Sequence, residues 1–134
     1  MRKMNPVVHF EMPAKDKKRM VEFYSKVFGW TSQDMGSDMG DYSVMHTSEV
    51  DEKTHFPKEP GRINGGFFPK SKDSAQHPSV VIAVDDINEH VKIVKTAGGQ
   101  VLGKPVMIPG VGKYVSFIDT EGNRLSMIQP SQMM

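Results

Sequence analysis

The sequence feature that most limits the fold is an internal repeat with a spacing of 70 residues. When the first half is shifted by this spacing, Asp16 coincides with Asp86 and Gly29 with Gly99. Asp is favoured at the beginning of a helix and Gly just after its end, so both halves predict one helix between these residues. A repeat that includes both helix ends indicates duplication of one supersecondary unit.

Apolar residues recur at helical spacing in both predicted helices, which span residues 16–28 and 86–97. We expect each apolar stripe to pack against the sheet of its own half, because an uncovered stripe of this width would lie in water. The first stripe is formed by Met20, Phe23, Tyr24, Val27 and Phe28, and the second by Ile87, Val91 and Val94.

A strand is predicted before each helix, at residues 7–12 and 80–84, and Pro13 is expected to end the first one. Three β-rich runs bounded by Gly, Pro, Asn or Asp follow each helix. The sequence therefore predicts an α+β fold of two tandem βαβββ modules. Module one spans about residues 5–68 and module two about residues 77–130, within a single domain of residues 1–134.

The first strand carries an unusual polar pair. Side chains alternate between the two faces of a strand, so His9 and Glu11 share one face while Phe10 points to the other. The apolar face suits the helix side. In the predicted fold the uncovered faces of the two modules form a curved mixed sheet around a cleft, and His9 and Glu11 line that cleft.

Composition excludes several classes of function. The formal net charge is +1 with no long basic run, which argues against a nucleic-acid surface. The chain has no cysteine and therefore no disulfide framework. No apolar run approaches the roughly 20 residues of a membrane helix, and no secretion signal is recognisable. We expect a cytoplasmic protein without a membrane or nucleic-acid partner.

The segments "FYSKVFGW", "GGFF", "PGVG" and "DTEGN", arranged over the duplicated pattern, resemble the vicinal oxygen chelate superfamily. That superfamily includes glyoxalase I, extradiol dioxygenases and bleomycin-binding proteins. The resemblance covers nearly the whole chain and is strongest to single-domain glyoxalase-related proteins. It implies a glyoxalase-like fold of paired modules, and it favours a homodimer with clefts formed between modules.

The resemblance also implies where a metal would be held, because metal-dependent members take one ligand from the first and one from the last strand of each module. These positions fall at His9 and Ser79 on the first strands, at Gly65 or Gly66, and at Ser126. Glycine and serine do not replace carboxylate or imidazole ligands of zinc, nickel or iron. We therefore expect no cofactor, with a divalent metal (Zn, Ni or Fe) as the alternative.

The predicted pocket combines these positions with two tyrosines on comparable strands, which either point their hydroxyls into the cleft or pack. Its residues are His9, Glu11, Tyr42, Gly66, Ser79, Tyr114 and Ser126. Two functions stay open. One is a small-molecule-binding protein without the full metal site. The other is a metal-dependent lyase, isomerase or dioxygenase acting on a small oxygenated substrate. In an enzyme, Glu11 and His9 are the candidate catalytic groups for proton transfer.

Overall fold

A computed structural model describes residues 3–54 and 57–131, and the same order of elements occurs twice. The first half contains β1 (Val7–Ala14), α1 (Lys17–Phe28), β2 (Thr31–Asp34), β3 (Ser43–His46) and β4 (Asn64–Pro69), with a short 3₁₀ turn at Ser37–Met39. The second contains β5 (Ser79–Ala83), α2 (Ile87–Thr96), β6 (Gln100–Ile108), β7 (Gly112–Ile118) and β8 (Arg124–Pro130). The predicted α+β fold of two βαβββ modules is confirmed.

The described residues form two compact units, which we call module one (residues 9–78) and module two (residues 3–8 and 79–131). Residues 3–8 belong to module two because they bond to the region around β5. The backbone N–H of Ala83 donates to the carbonyl of Pro6 at 2.9 Å. The Lys3 ammonium lies 2.7 Å from the Asp85 carboxylate. The boundary between the units therefore falls inside β1, just before His9.

Both helices begin at the predicted residues with the same cap. Asp16 accepts a hydrogen bond from the backbone N–H of Arg19 at 3.1 Å, and Asp86 accepts one from Glu89 at 3.2 Å. Each side chain thereby satisfies an amide that has no partner within its helix. The helix start predicted from the 70-residue repeat is confirmed in both modules.

The strands of module one run in the order β2-β3-β4-β1, with β4 parallel to β1 and the other neighbours antiparallel. The predicted end of β1 at Met12 is wrong. The strand continues through Pro13, which is opposite Phe68, to Ala14, which is opposite Pro69. A proline is tolerated close to a strand end, where its missing N–H removes little of the ladder.

The predicted inner face of α1 is also wrong in part. Phe23 and Val27 are 54% and 53% exposed. Tyr24, which belongs to the same predicted stripe, does contact the sheet side, since its ring stacks on Trp30 at 4.8 Å between centroids and meets the buried Phe67 at 5.5 Å. Aromatic rings from the helix, the sheet and the connecting segment thus fill the core of module one.

Module two follows the prediction closely. Its strands run in the order β5-β8-β7-β6, with β5 parallel to β8. Ile87 is fully buried, and Val91 and Val94 pack against the same cluster, as expected for the inner stripe of α2. Met127 is part of this cluster, which confirms its predicted place on the helix side of β8. Neither helix in the described ranges has the length and apolarity to cross a bilayer.

Candidate functional site

Two adjacent glycines in β4 allow aromatic rings to lie directly on both faces of the sheet in module one. Gly65 is opposite Phe10 and Gly66 is opposite Glu11 in the parallel register of β1 and β4. A Cβ on Gly65 would lie 2.4 Å from the Phe10 ring, and one on Gly66 would lie 1.8 Å from the Tyr42 hydroxyl. Because successive strand residues point to opposite faces, each glycine leaves room for one ring.

Tyr42 connects this glycine to His9. The Tyr42 hydroxyl lies 2.9 Å from Nε2 of His9, and the two rings are nearly parallel, with an interplanar angle of 21°. His9, Glu11 and Tyr42 all belong to the face of the sheet that contains Gly66, opposite the face of Phe10. The predicted polar face of β1 is therefore completed by a phenol from the residue just before β3.

Burial changes the chemistry of the imidazole. It lowers the pKa of His9 from its ordinary value of 6.5 to about 4, because a charged ring would lose hydration at this position. The ring is consequently neutral at pH 7. A neutral imidazole has one donor and one acceptor nitrogen, and the Tyr42 hydroxyl accepts from or donates to Nε2 according to the tautomer.

Glu11 is the buried carboxyl group of this face. Its residue is 8% exposed, and it lies two residues along β1 from His9, directly opposite Gly66. Module one therefore brings together four of the predicted pocket residues on one sheet face: His9, Glu11, Tyr42 and Gly66.

Module two contains a chain of three hydroxyl groups at the corresponding place. Ser126 is 3% exposed. Its Oγ lies 2.7 Å from the Tyr114 hydroxyl and 2.9 Å from Oγ of Ser116. Ser116 was missed by the sequence analysis, although its position two residues after Tyr114 on a strand places both side chains on one face.

The strand register defines which last-strand positions are equivalent. Gly66 is opposite Glu11, and Ser126 is opposite Val81, which is the residue 70 positions after Glu11. Of the two glycines that the sequence left open, Gly66 therefore corresponds to Ser126.

The two tyrosines are equivalent as well. Val44 is opposite Gly66 and Ser116 is opposite Ser126, and each tyrosine lies two residues earlier in the chain. Ser79 begins β5 in module two. A pocket shared by His9 and Ser79 or Ser126 would join residues of both modules and stays a prediction.

The donor groups on these faces do not fit a zinc, nickel or iron ion. On this face module one offers one carboxyl, a phenol that lies at the glycine position, and the imidazoles of His9 and His46, since His46 lies two residues after Val44, which is opposite Gly66. Module two offers hydroxyl groups. Within residues 3–54 and 57–131, no three His, Cys, Asp or Glu side chains form a group that could hold a metal ion. Transition metals of this kind are held by several imidazole, carboxylate or thiolate ligands.

Comparison with known proteins agrees with the duplicated fold. The pattern of the Glyoxalase/Bleomycin resistance protein/Dioxygenase superfamily matches residues 7–127. A glyoxylase-like domain-containing protein of Didymella fabae is 32% identical over 114 residues, which cover 84% of both chains. The anthracycline biosynthesis protein DnrV of Streptomyces peucetius is 28% identical over 126 residues. The match covers 84% of this chain and 42% of DnrV, so the chain spans about two fifths of the length of this relative.

Solved structures share the fold at low sequence identity. Methylmalonyl-CoA epimerase from Mycobacterium tuberculosis superposes with a TM-score of 0.68 at 13% identity, covering 98% of this chain and 94% of the epimerase. A protein from Bacillus halodurans C-125 superposes with a TM-score of 0.69 at 15% identity, covering 98% and 99%. These likenesses concern the fold alone. The match over residues 7–127 shows that the chain belongs to the Glyoxalase/Bleomycin resistance protein/Dioxygenase superfamily.

Proposed function

We propose that this protein binds a small polar molecule on the His9 face of module one, without a tightly held transition metal. The observation that carries the proposal is the Tyr42 ring, which lies on Gly66 and bonds to His9 at 2.9 Å. A metal ligand from the last strand would need a side chain at position 66, and the phenol takes that space. In this proposal the protein keeps the fold of the superfamily, and the Tyr42 side chain occupies the space that a metal ligand at position 66 would need.

The groups on this face suit hydrogen bonding to an oxygenated ligand. The neutral His9 imidazole and the Tyr42 phenol provide donors and acceptors, and Glu11 adds a carboxyl group two residues along β1. Buried polar groups that already have fixed orientations select a ligand by the match of donors and acceptors. We infer that the ligand carries carbonyl or hydroxyl groups.

The lowered pKa favours binding over proton abstraction. An efficient general base has a pKa near the working pH, and a His9 pKa of about 4 makes this imidazole a weak base at neutrality. A metal-dependent lyase, isomerase or dioxygenase remains the alternative function. It requires further ligands beyond His9, and Tyr42 would have to leave Gly66 to admit one.

The test combines metal analysis with ligand binding. Protein purified without chelator is expected to contain far less than one equivalent of zinc, nickel or iron. The names of the relatives supply two probes for titration calorimetry, an anthracycline and methylmalonyl-CoA, and a panel of small carbonyl and hydroxyl compounds extends the range. His9→Ala is expected to weaken binding at least tenfold, and the exposed His77→Ala is the matched control.

Stoichiometric metal that disappears in His9→Ala would contradict the proposal. Equal ligand affinity of His9→Ala and His77→Ala would show that the ligand does not bind on the His9 face.

A further inference from the structure

The residues between β2 and β3 deliver Tyr42 to the sheet through an irregular backbone. Gly36 and Gly40 have left-handed φ angles of 80° and 68°, and Asp41 has a φ of 57°, which a residue with a Cβ rarely adopts. The segment is closed by backbone hydrogen bonds from Met35 to the Tyr42 carbonyl at 2.8 Å and from Asp41 to the Gly36 carbonyl at 3.0 Å. The orientation of Tyr42 therefore depends on the peptide that follows the disfavoured Asp41.

Lys17 of α1 bonds to that peptide. Its ammonium donates to the carbonyl of Asp41, which belongs to the peptide group shared with Tyr42. The same ammonium lies 3.5 Å from Oδ1 of Asp34, the last residue of β2. The backbone N–H of Gly36 and the ammonium of Lys17 lower the pKa of this carboxyl, so Asp34 is charged at neutral pH. One side chain thus holds both ends of the segment.

Lys17 also differs from the other paired lysines in its surroundings. Its side chain is 19% exposed, whereas those of Lys3, Lys58 and Lys92 are 61%, 55% and 73% exposed. A lysine usually keeps its ammonium in water, and exposed ion pairs contribute little. The low exposure and the contact with a backbone carbonyl indicate a fixed structural bond at Lys17.

We propose that Lys17 is a positioning residue for the ligand site, which holds the Asp41–Tyr42 peptide so that the Tyr42 ring lies on Gly66 and reaches His9. The inference deepens the proposed function because it concerns the same site. The titratable side chains that the strand register of module one places on that face include His9, Glu11, Tyr42 and His46.

The two glycines provide the readout, because aromatic rings shift the NMR resonances of nearby α-protons. Gly66 reports the Tyr42 ring, and Gly65 reports the Phe10 ring on the opposite face. Tyr42→Leu defines the Gly66 shift without the ring. In Lys17→Met, which keeps the apolar stem and removes the ammonium, the Gly66 α-protons are expected to move at least halfway to that value while those of Gly65 stay in place.

The matched control is Lys18→Met, since Lys18 is the next residue of α1, is exposed and carries the same charge. It is expected to leave both glycines unchanged, and Lys17→Arg is expected to keep most of the wild-type Gly66 shift. An unchanged Gly66 in Lys17→Met would overturn the proposal. So would equal movement of Gly65 and Gly66, which would indicate a general effect on module one, or the same shift in Lys18→Met. The measurement needs no ligand, so it stands or fails independently of the proposed function.

Discussion

The two modules place a tyrosine at equivalent positions of the repeat and give it different partners. In module one the partner position is Gly66, and the Tyr42 ring lies on the strand and reaches an imidazole. In module two the partner position is Ser126, and the Tyr114 hydroxyl stops at that side chain 2.7 Å away. At this position the last strand carries a serine side chain in module two and none in module one. This difference decides whether the phenol bonds to a residue on another strand of the same face or to the adjacent serine.

The difference lies in the kinds of group that are joined. The network of module two consists of hydroxyl groups alone. The pair in module one includes His9, whose charge would be costly at its half-buried position. The duplicated backbone has therefore been kept while the chemistry on its polar face has diverged, and substitutions in the two modules should have unequal effects.

The largest expected effect is a difference in stability between two glycine substitutions, one at Gly112 beside backbone atoms and one at Gly66 beside a side chain. Gly112 of module two has a φ of 147°, and a Cβ there would lie 2.2 Å from the backbone carbonyl oxygen of Gln129. Gly112→Ala should lower the free energy of unfolding by roughly 3 kcal/mol or more, since the backbone cannot move away. Gly66→Ala should cost only about 1 kcal/mol, because the Tyr42 side chain can rotate outward.

Urea denaturation of both variants measures this difference, with fluorescence and circular dichroism compared to check two-state unfolding. Equal losses would break the comparison, because they would show that Tyr42 is held as firmly as the backbone of β8.

Acid is expected to act on module one through His9. Above pH 6.5 the imidazole is neutral in both folded and unfolded chains, so its contribution to stability is fully retained. Between pH 6.5 and about 4 the unfolded chain binds a proton that the folded chain excludes, and stability falls. The loss is at most roughly 3 kcal/mol, and less where solvent reaches the ring.

The measurement is urea denaturation at several pH values for the wild type and for His9→Gln, which cannot titrate. The wild type should lose more stability than His9→Gln over this range. Parallel curves for the two proteins would show that His9 is hydrated in the folded state.

The smallest effects are expected for the tyrosine hydroxyls. Tyr42→Phe and Tyr114→Phe should each cost about 1 kcal/mol, the usual value of one intramolecular hydrogen bond. Double-mutant cycles of Tyr42→Phe with His9→Gln, and of Tyr114→Phe with Ser126→Ala, should each give a coupling of at least about 0.5 kcal/mol. A coupling free energy near zero in one cycle would show that the hydrogen bond tested by that cycle does not contribute to stability.

The sequence predicted the parts of the fold that depend on local signals. Asp16 and Asp86 cap their helices because a short acidic side chain can reach the first amides, wherever the helix lies in the fold. The orientation of Met127 followed from strand alternation alone. The membership in the superfamily was also predictable, because the turn and helix motifs occur in the register of the duplication.

Contacts between elements were harder to predict. Five apolar residues of α1 cover more of its circumference than one sheet can bury, and packing of Tyr24 with Trp30 and Phe67 decides which of them face inward. Paired glycines in a strand indicate a close approach by another group. They do not identify that group, and the contact between Tyr42 and Gly66 depends on the irregular backbone before β3.

The close contact of Tyr42 with Gly66 constrains how descendants of this sequence can change. Replacing Gly66 by an acidic residue would put a new side chain into the space of the phenol, and removing Tyr42 alone would leave His9 without its partner and add no second ligand. Either substitution alone disrupts the contact of Tyr42 with Gly66 or with His9, and neither alone creates a metal site. A change toward a metal-binding relative therefore needs both substitutions. Positions 42 and 66 should therefore change together in an alignment of close homologues, as a linked pair rather than as two independent sites.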